Sequence, residues 1–143
     1  MFGIRSLALF AARVILGIIF IAHGWQKLNQ MGIDQVQTYF KSQGVPAPEI
    51  AAYYATWVEF VGGILLILGL LLPLVSVLLI IDMIGAIIYV HADAGFWNTD
   101  KGYEWPLALI AGLLAVGFAH AGAAAADHHL FRRRRRRSTH AVE

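Results

Sequence analysis

The 143-residue sequence contains no cysteine and few charged residues. Without cysteine the chain forms no disulfides, thiolate metal sites, iron–sulfur clusters or thiol redox centres, so any redox role must use a bound cofactor or a partner. Charged residues make up only 14% of the chain, whereas 59% of its residues are hydrophobic and the mean hydropathy is +0.65. A soluble domain would need far more polar cover. The composition therefore predicts an integral membrane protein with one domain.

Four apolar segments are long enough to cross about 30 Å of hydrocarbon at about 1.5 Å per residue. They cover residues 7–28, 52–72, 74–91 and 105–126. We predict an all-α, four-helix transmembrane bundle over residues 1–131, followed by a basic tail at 132–143. Pro73 is expected to separate the second and third spans in a tight hairpin. Between the first two spans, apolar residues at helical spacing over 32–43 predict a short amphipathic helix on the outer interface.

Basic residues are divided unevenly between the two sides of this bundle. Arg5, Arg13 and the six arginines at 132–137 fall on one side, whereas the other side carries only lysines. The positive-inside rule places both termini in the cytoplasm. An arginine run directly after a membrane helix is typical of an anchor against anionic lipid, so we predict the bilayer, and no nucleic acid, as its partner.

Small residues in the later spans suggest how the helices pack. Glycines at 62, 63 and 69 mark the second span, where backbones can approach closely. A stripe on the fourth span is predicted to face a neighbouring helix; it consists of Ala108, Gly112, Ala115, Ala119 and Gly122.

The first span carries a seam of residues on one helix face. At steps of four and three residues, the seam contains Arg13, Gly17, Phe20, Gly24 and Lys27. His23 lies beside it. A charged side chain in a membrane is costly unless it snorkels, pairs or lines a cavity, so partners are expected on other helices.

Counting residues from the cytoplasmic ends of the spans assigns three polar residues to an inner layer. Arg13, Asp82 and His120 fall at similar depths, about 10 Å above the inner boundary. We predict a structural ion pair between Arg13 and Asp82, with His120 as a hydrogen-bonding neighbour. The functional alternative is a proton path to the cytoplasm through Asp82 and His120.

An outer layer is predicted to contain His23, Lys27, Glu59 and His91. A ligand pocket is one interpretation, in which Glu59 and a histidine contact a polar head group and exchange protons with it. The alternative is that Glu59 pairs with Lys27 to hold two helices together. His23 and His91 near helix ends are a weak basis for axial haem ligation, and we do not predict haem. No metal site is predicted, because the adjacent residues Asp127, His128 and His129 supply no closed coordination shell.

The chain resembles the DoxX family of small bacterial four-helix membrane proteins from about Leu7 to Phe131. The residues that carry the resemblance are Arg13-x3-Gly17, His23-Gly24-x2-Lys27-Leu28, Gly44-Val45-Pro46-x-Pro48, Glu59-x2-Gly62-Gly63-x5-Gly69 and His91. The resemblance implies a cytoplasmic-membrane protein and, for some relatives, the membrane subunit of a thiosulfate:quinone oxidoreductase. On that basis Glu59 and His23 would contact a quinone head group, and a separate polypeptide would donate the electrons.

Our leading hypothesis is therefore a membrane subunit that binds quinone, or a similar lipid-soluble ligand, and works with a separate redox protein. A second hypothesis is a non-catalytic anchor or assembly factor that docks partner proteins through its tail or outer loop. A third is a small-solute transporter, which would need a homo-oligomer because four helices enclose little room.

Overall fold

The computed structural model describes residues 3–119, and this part of the chain is all-α, as predicted. Its five α-helices are α1 Ile4–Trp25, α2 Ile33–Ser42, α3 Pro48–Leu68, α4 Leu72–Ala86 and α5 Glu104–Phe118. A π-helical segment continues α1 at Gln26–Met31 and a second continues α4 at Ile87–His91; they are called π1 and π2 below. Short 3-10 turns at Ala92–Ala94 and Asn98–Asp100 lie before α5. His120 and the arginine run lie outside the described residues.

Three helical stretches are long and apolar enough to cross a membrane: Ile4–Met31, Pro48–Leu68 and Leu72–Ala94. They correspond to the first three predicted spans, and each begins a few residues earlier than predicted. The described part of the predicted fourth span, α5, has 15 residues, and residues 120–126 lie outside the described part. Many large apolar side chains on these helices are exposed, including Ile15 and Ile18, as expected of surfaces that face lipid.

The turn between α3 and α4 differs from the predicted hairpin at Pro73. Helix α3 ends at Leu68 and is capped by Gly69, whose φ of 70° is the left-handed conformation that glycine adopts without strain. The amide of Leu70 donates to the Leu65 carbonyl at 3.0 Å, which closes a Schellman motif. Pro73 lies in the first turn of α4, where its missing N–H has no helical partner to lose. The tight connection between α3 and α4 is confirmed, but Gly69 forms the turn and Pro73 does not.

The four long helices contact one another in a ring of order α1, α3, α4, α5, and α2 packs on α3. The closest approach is between α1 and α3. A Cβ added at Gly63 would lie 2.6 Å from the Gly17 carbonyl oxygen, and one at Gly24 would lie 2.6 Å from the Phe60 amide nitrogen. Backbone therefore meets backbone along this interface, as small residues permit in membrane helices. The buried residues of α1 include Arg13, Gly17, Phe20 and Gly24, which confirms that the predicted seam faces the protein.

Helix α5 does not pack through the predicted stripe of small residues. Ala108, Ala115 and Ala119 are exposed, and Gly112 is half-buried against Leu16 of α1. The core-facing side instead contains Leu109, Leu113 and Val116, with Gly117 against Ser76 of α4. For the three alanines the prediction was wrong because large apolar side chains fill this interface, where only Gly117 and, against Leu16, Gly112 have close neighbours. Gly122 lies outside the described residues.

Candidate functional site

A cavity of about 460 Å³ lies between α2, α3, α4 and the two π-helical segments. Most of its surface is apolar or aromatic, with a small polar cluster in the wall. The apolar and aromatic lining includes Met31, Val36, Tyr39, Phe40, Val45, Ala55, Ile81, Tyr89 and Val90, and the acidic and basic side chains are Lys27, Glu59, Asp82 and His91. Natural ligand sites have this construction, in which apolar walls surround a few placed polar groups.

The two π-helical segments bring residues from α1 and α4 to the cavity. Segment π1 contributes Lys27 and Met31, and π2 contributes Tyr89 and His91. In a π-helix the backbone hydrogen bond reaches five residues back instead of four, which turns the side chains relative to a regular helix, and such segments occur frequently at functional sites. Both irregular stretches of these long helices thus lie at the cavity.

Lys27 and Glu59 form an ion pair in the cavity wall. The Lys27 Nζ donates to Glu59 Oε2 at 2.7 Å, and the two side chains are 17% and 5% exposed, respectively. The missing side chain at Gly24 explains this contact, since it lets α1 touch the backbone of Phe60, the residue after Glu59. The sequence interpretation in which Glu59 pairs with Lys27 is confirmed, and the same pair also lines the cavity.

Asp82 occupies the same wall. Its carboxyl group lies against that of Glu59 and within electrostatic range of Lys27. The Oδ2 atom is buried and accepts no hydrogen bond from residues 3–119. One turn earlier on α4, the Leu78 carbonyl accepts a hydrogen bond from the Tyr54 hydroxyl at 2.7 Å, which fixes α3 against α4 at this level.

Two members of the predicted inner layer have known positions. Asp82 lines the cavity beside Glu59, and Arg13 is buried at 2% exposure and does not line the cavity. The ion pair between Arg13 and Asp82 stays a prediction. His120, the third predicted member of that layer, is outside the described residues.

The two histidines of the predicted outer layer have different positions. His91 lines the cavity, and its Nδ1 lies 2.6 Å from the Lys101 carbonyl oxygen. Because a carbonyl oxygen only accepts, Nδ1 must carry the proton of this hydrogen bond. His23 is exposed on α1 and does not line the cavity. The cavity lining thus contains Lys27, Glu59, His91 and also Asp82, whereas His23 is not in the lining but lies within electrostatic range of Lys27 and Glu59.

Comparison with known proteins identifies the family of the chain. The model of the DoxX family matches residues 8–92, more than half of the sequence. The chain belongs to the DoxX family. Every residue that lines the cavity falls within the matched range, whereas α5 lies beyond it.

Three relatives of this DoxX chain illustrate the range of names in the family. It is 38% identical over 89 residues to "Putative oxidoreductase CatD" of Bacillus subtilis (strain 168), covering 62% of this chain and 63% of that protein. It is 32% identical over 115 residues to "Uncharacterized membrane protein Rv3486" of Mycobacterium tuberculosis strain H37Rv, covering 71% and 68%. It is 34% identical over 87 residues to "Inner membrane protein YphA" of Escherichia coli (strain K12), covering 61% of each.

The DoxX chain thus spans less than two thirds of the length of CatD and of YphA. No solved structure matches it. Together with the three candidate spans, the family places it among multi-pass proteins of the inner, or cytoplasmic, membrane.

Sequence reasoning missed part of the cavity. The amphipathic helix predicted over 32–43 is present as α2, but its apolar face packs on protein: Val36 is 1% exposed and lines the cavity with Tyr39 and Phe40. An amphipathic pattern does not distinguish lipid from protein as the apolar neighbour.

Residues 3–119 contain no group of three or more His, Asp or Glu side chains placed to hold a metal ion.

Proposed function

We propose that the cavity binds quinone or a similar lipid-soluble redox ligand, and that the chain is the membrane subunit of a system whose electron donor is a separate protein. The observation that carries the proposal is a largely apolar cavity of about 460 Å³ with the Lys27–Glu59 pair in its wall. A quinone has an apolar ring and tail but carbonyl oxygens that need hydrogen-bond donors, and the cavity combines both environments.

The polar wall can recognise a carbonyl head group. Lys27 has three ammonium protons and donates one of them to Glu59, so others remain for a ligand oxygen. The aromatic side chains Tyr39, Phe40 and Tyr89 provide flat apolar surface for a ring. His91 also lines the site, and its Nδ1 hydrogen-bonds the Lys101 carbonyl oxygen in the loop before α5.

One relative is named "Putative oxidoreductase CatD", and a redox role for this chain agrees with that name. The 143-residue sequence contains no cysteine, so we assign the electron donor to another polypeptide. We further propose four spans with both termini in the cytoplasm, on the basis of the basic residues at 132–137. In that orientation the cavity opens toward the outer half of the membrane.

Titration of the purified full chain in nanodiscs with a short-chain para-benzoquinone tests this function. The wild type should bind saturably, and Glu59→Gln should weaken binding about tenfold, because Lys27 is then free to pair with Asp82 and the donor arrangement is lost. Glu49→Gln is the matched control, since Glu49 is an exposed carboxylate in the first turn of the same helix; its affinity should equal that of the wild type.

Absence of saturable binding to the wild type would refute the proposal. Equal affinity of the wild type and Glu59→Gln would remove Glu59 from the site. Extraction of the gently purified protein, followed by mass spectrometry of the lipid fraction, should in addition recover a quinone.

A further inference from the structure

The polar end of the cavity is closed by protein. Lys27 and Glu59 form their 2.7 Å ion pair there, and both side chains are largely buried. Beside the pair, α1 touches the backbone of α3, since a Cβ added at Gly24 would lie 2.6 Å from the Phe60 amide nitrogen. Backbone contact at this level leaves no passage for a ligand between α1 and α3.

Another side of the cavity is open and mostly apolar. Of the described residues, five line the cavity and are also exposed, which places them at its edge: Gln26, Tyr39, Pro46, Ile81 and Tyr89. Apart from Gln26, they are apolar or aromatic and belong either to α2 and the connector after it or to α4 and π2. Among the described helices, α2 packs on α3 and π1 and makes few close contacts with α4. The apolar mouth of the cavity therefore lies between α2 and α4.

Gly85 leaves a gap in the α4 side of this mouth. Ile81, Gly85 and Tyr89 follow one another about one turn apart on the same face of α4 and π2, and all three line the cavity. A Cβ added at Gly85 would meet nothing in residues 3–119 within 4 Å. Glycine is unfavourable inside a helix, and no close packing requires it here. The missing side chain instead keeps the cavity open between Ile81 and Tyr89.

We propose that the ligand is an amphiphile with a long apolar tail, and that this tail leaves the cavity for the lipid through the gap at Gly85. This inference rests on the proposed function and specifies the class and the orientation of the ligand, with the polar head at Lys27 and the tail between Ile81 and Tyr89. A cavity of about 460 Å³ encloses a ring with a short substituent. A long prenyl or alkyl chain must extend beyond it, and exposed apolar side chains such as Ile84 show that lipid covers α4 outside the gap.

The gap acts by leaving space and not by attracting the tail. A chain in lipid is already in an apolar environment, so moving it against Ile81 or Tyr89 gains little free energy. A side chain at position 85 would occupy the exit, and the tail would then have to fold inside the cavity or the head would have to withdraw from Lys27. The length of the tail therefore decides how strongly a substitution at Gly85 affects binding.

Two probes with the same para-benzoquinone head, one with a methyl and one with a decyl substituent, test the proposal in the full chain in nanodiscs. Gly85→Phe is designed to block the gap and Gly85→Leu to narrow it, and the empty space at Gly85 admits a Cβ without a clash. Ile84→Phe is the matched control, because Ile84 is an exposed neighbour of Gly85 that does not line the cavity. Each affinity is compared with that of the wild type for the same probe, so that partition of the probe into the lipid cancels.

Gly85→Phe should lower the affinity for the decyl probe about tenfold and the affinity for the methyl probe less than about twofold. Gly85→Leu should show the same selectivity, with a loss of about threefold for the decyl probe. Ile84→Phe should bind both probes like the wild type.

Unchanged decyl affinity in Gly85→Phe would overturn the inference, and so would an equal loss for both probes, which would mean that the new side chain fills the head site. A loss in Ile84→Phe equal to that in Gly85→Phe would overturn it as well. If Gly85→Phe does not fold, the same comparison in Gly85→Leu decides.

The wild type separates this inference from the proposed function. A wild type that binds the methyl probe but not the decyl probe would overturn the inference and leave the proposed function intact. Failure of the wild type to bind either probe would refute the proposed function itself.

Discussion

Removing Lys27 alone should destabilise the protein much more than removing Lys27 and Glu59 together. The Nζ and Oε2 atoms lie 2.7 Å apart, and the Glu59 side chain is only 5% exposed. When one partner of a buried ion pair is deleted, an uncompensated charge remains in an apolar place, at a cost of about 3–5 kcal/mol. When both partners become neutral, that cost disappears and only packing and one hydrogen bond are lost.

The neighbouring carboxyl makes the two single substitutions unequal. Lys27→Met leaves Glu59 and Asp82 facing each other without a cation, so we expect the full loss of about 3–5 kcal/mol. In Glu59→Gln, Lys27 can turn to Asp82, so the loss should be nearer one hydrogen bond, about 1–2 kcal/mol. The double variant should also lose only about 1–2 kcal/mol, far less than the two single losses combined.

The unfolding free energy can be measured by titrating the protein in mild detergent with sodium dodecyl sulfate while following tryptophan fluorescence. Lys41→Met and Glu49→Gln are matched controls, because both residues are exposed and neither belongs to the pair. Single losses that sum to the double loss within about 0.5 kcal/mol would show that the two residues act independently. That result would refute the view that they form one electrostatic unit with Asp82.

Two further predictions concern packing. Gly63→Ala should lower the unfolding free energy in the same assay by about 1–3 kcal/mol, because its Cβ would meet the α1 backbone at 2.6 Å, whereas Gly85→Ala, with nothing within 4 Å of its Cβ, should not destabilise. An equal response of both glycines would contradict the close α1–α3 contact. Tyr54→Phe should cost about 1 kcal/mol by removing the 2.7 Å hydrogen bond to Leu78; an unchanged midpoint would argue against that bond.

The helical content and the inward face of α1 could be predicted because they depend on local pattern. Arg13, Gly17, Phe20 and Gly24 recur at helical spacing, and all four are buried. The partner of this face could not be read from the same pattern. Glycines at 62 and 63 indicated close packing of α3, but only the folded chain shows that Gly63 meets Gly17.

The position of Asp82 shows why depth estimates from sequence fail. Counting from Leu74 and Ala52 placed Asp82 in an inner layer and Glu59 in an outer one. The turn between α3 and α4 comes earlier than predicted, so Glu59 is nine residues before the end of α3 at Leu68 and Asp82 is ten residues after the start of α4 at Leu72. At about 1.5 Å per residue, each lies about 15 Å from this turn. Because the two helices are antiparallel neighbours, these equal distances from the turn bring the two residues to the same level.

The cavity itself depends on contacts that no local pattern encodes. On one side, the missing side chain at Gly24 lets α1 approach α3 and brings Lys27 to Glu59. On the other side, Val36 of α2 is buried and lines the cavity. A helix with the same amphipathic pattern could lie on lipid, so its placement follows from the tertiary fold alone. The polar part of the cavity wall therefore depends on the contact between α1 and α3, and the apolar part contributed by α2 depends on how α2 packs. Substitutions at Asp82 and at Tyr39 test the two parts independently.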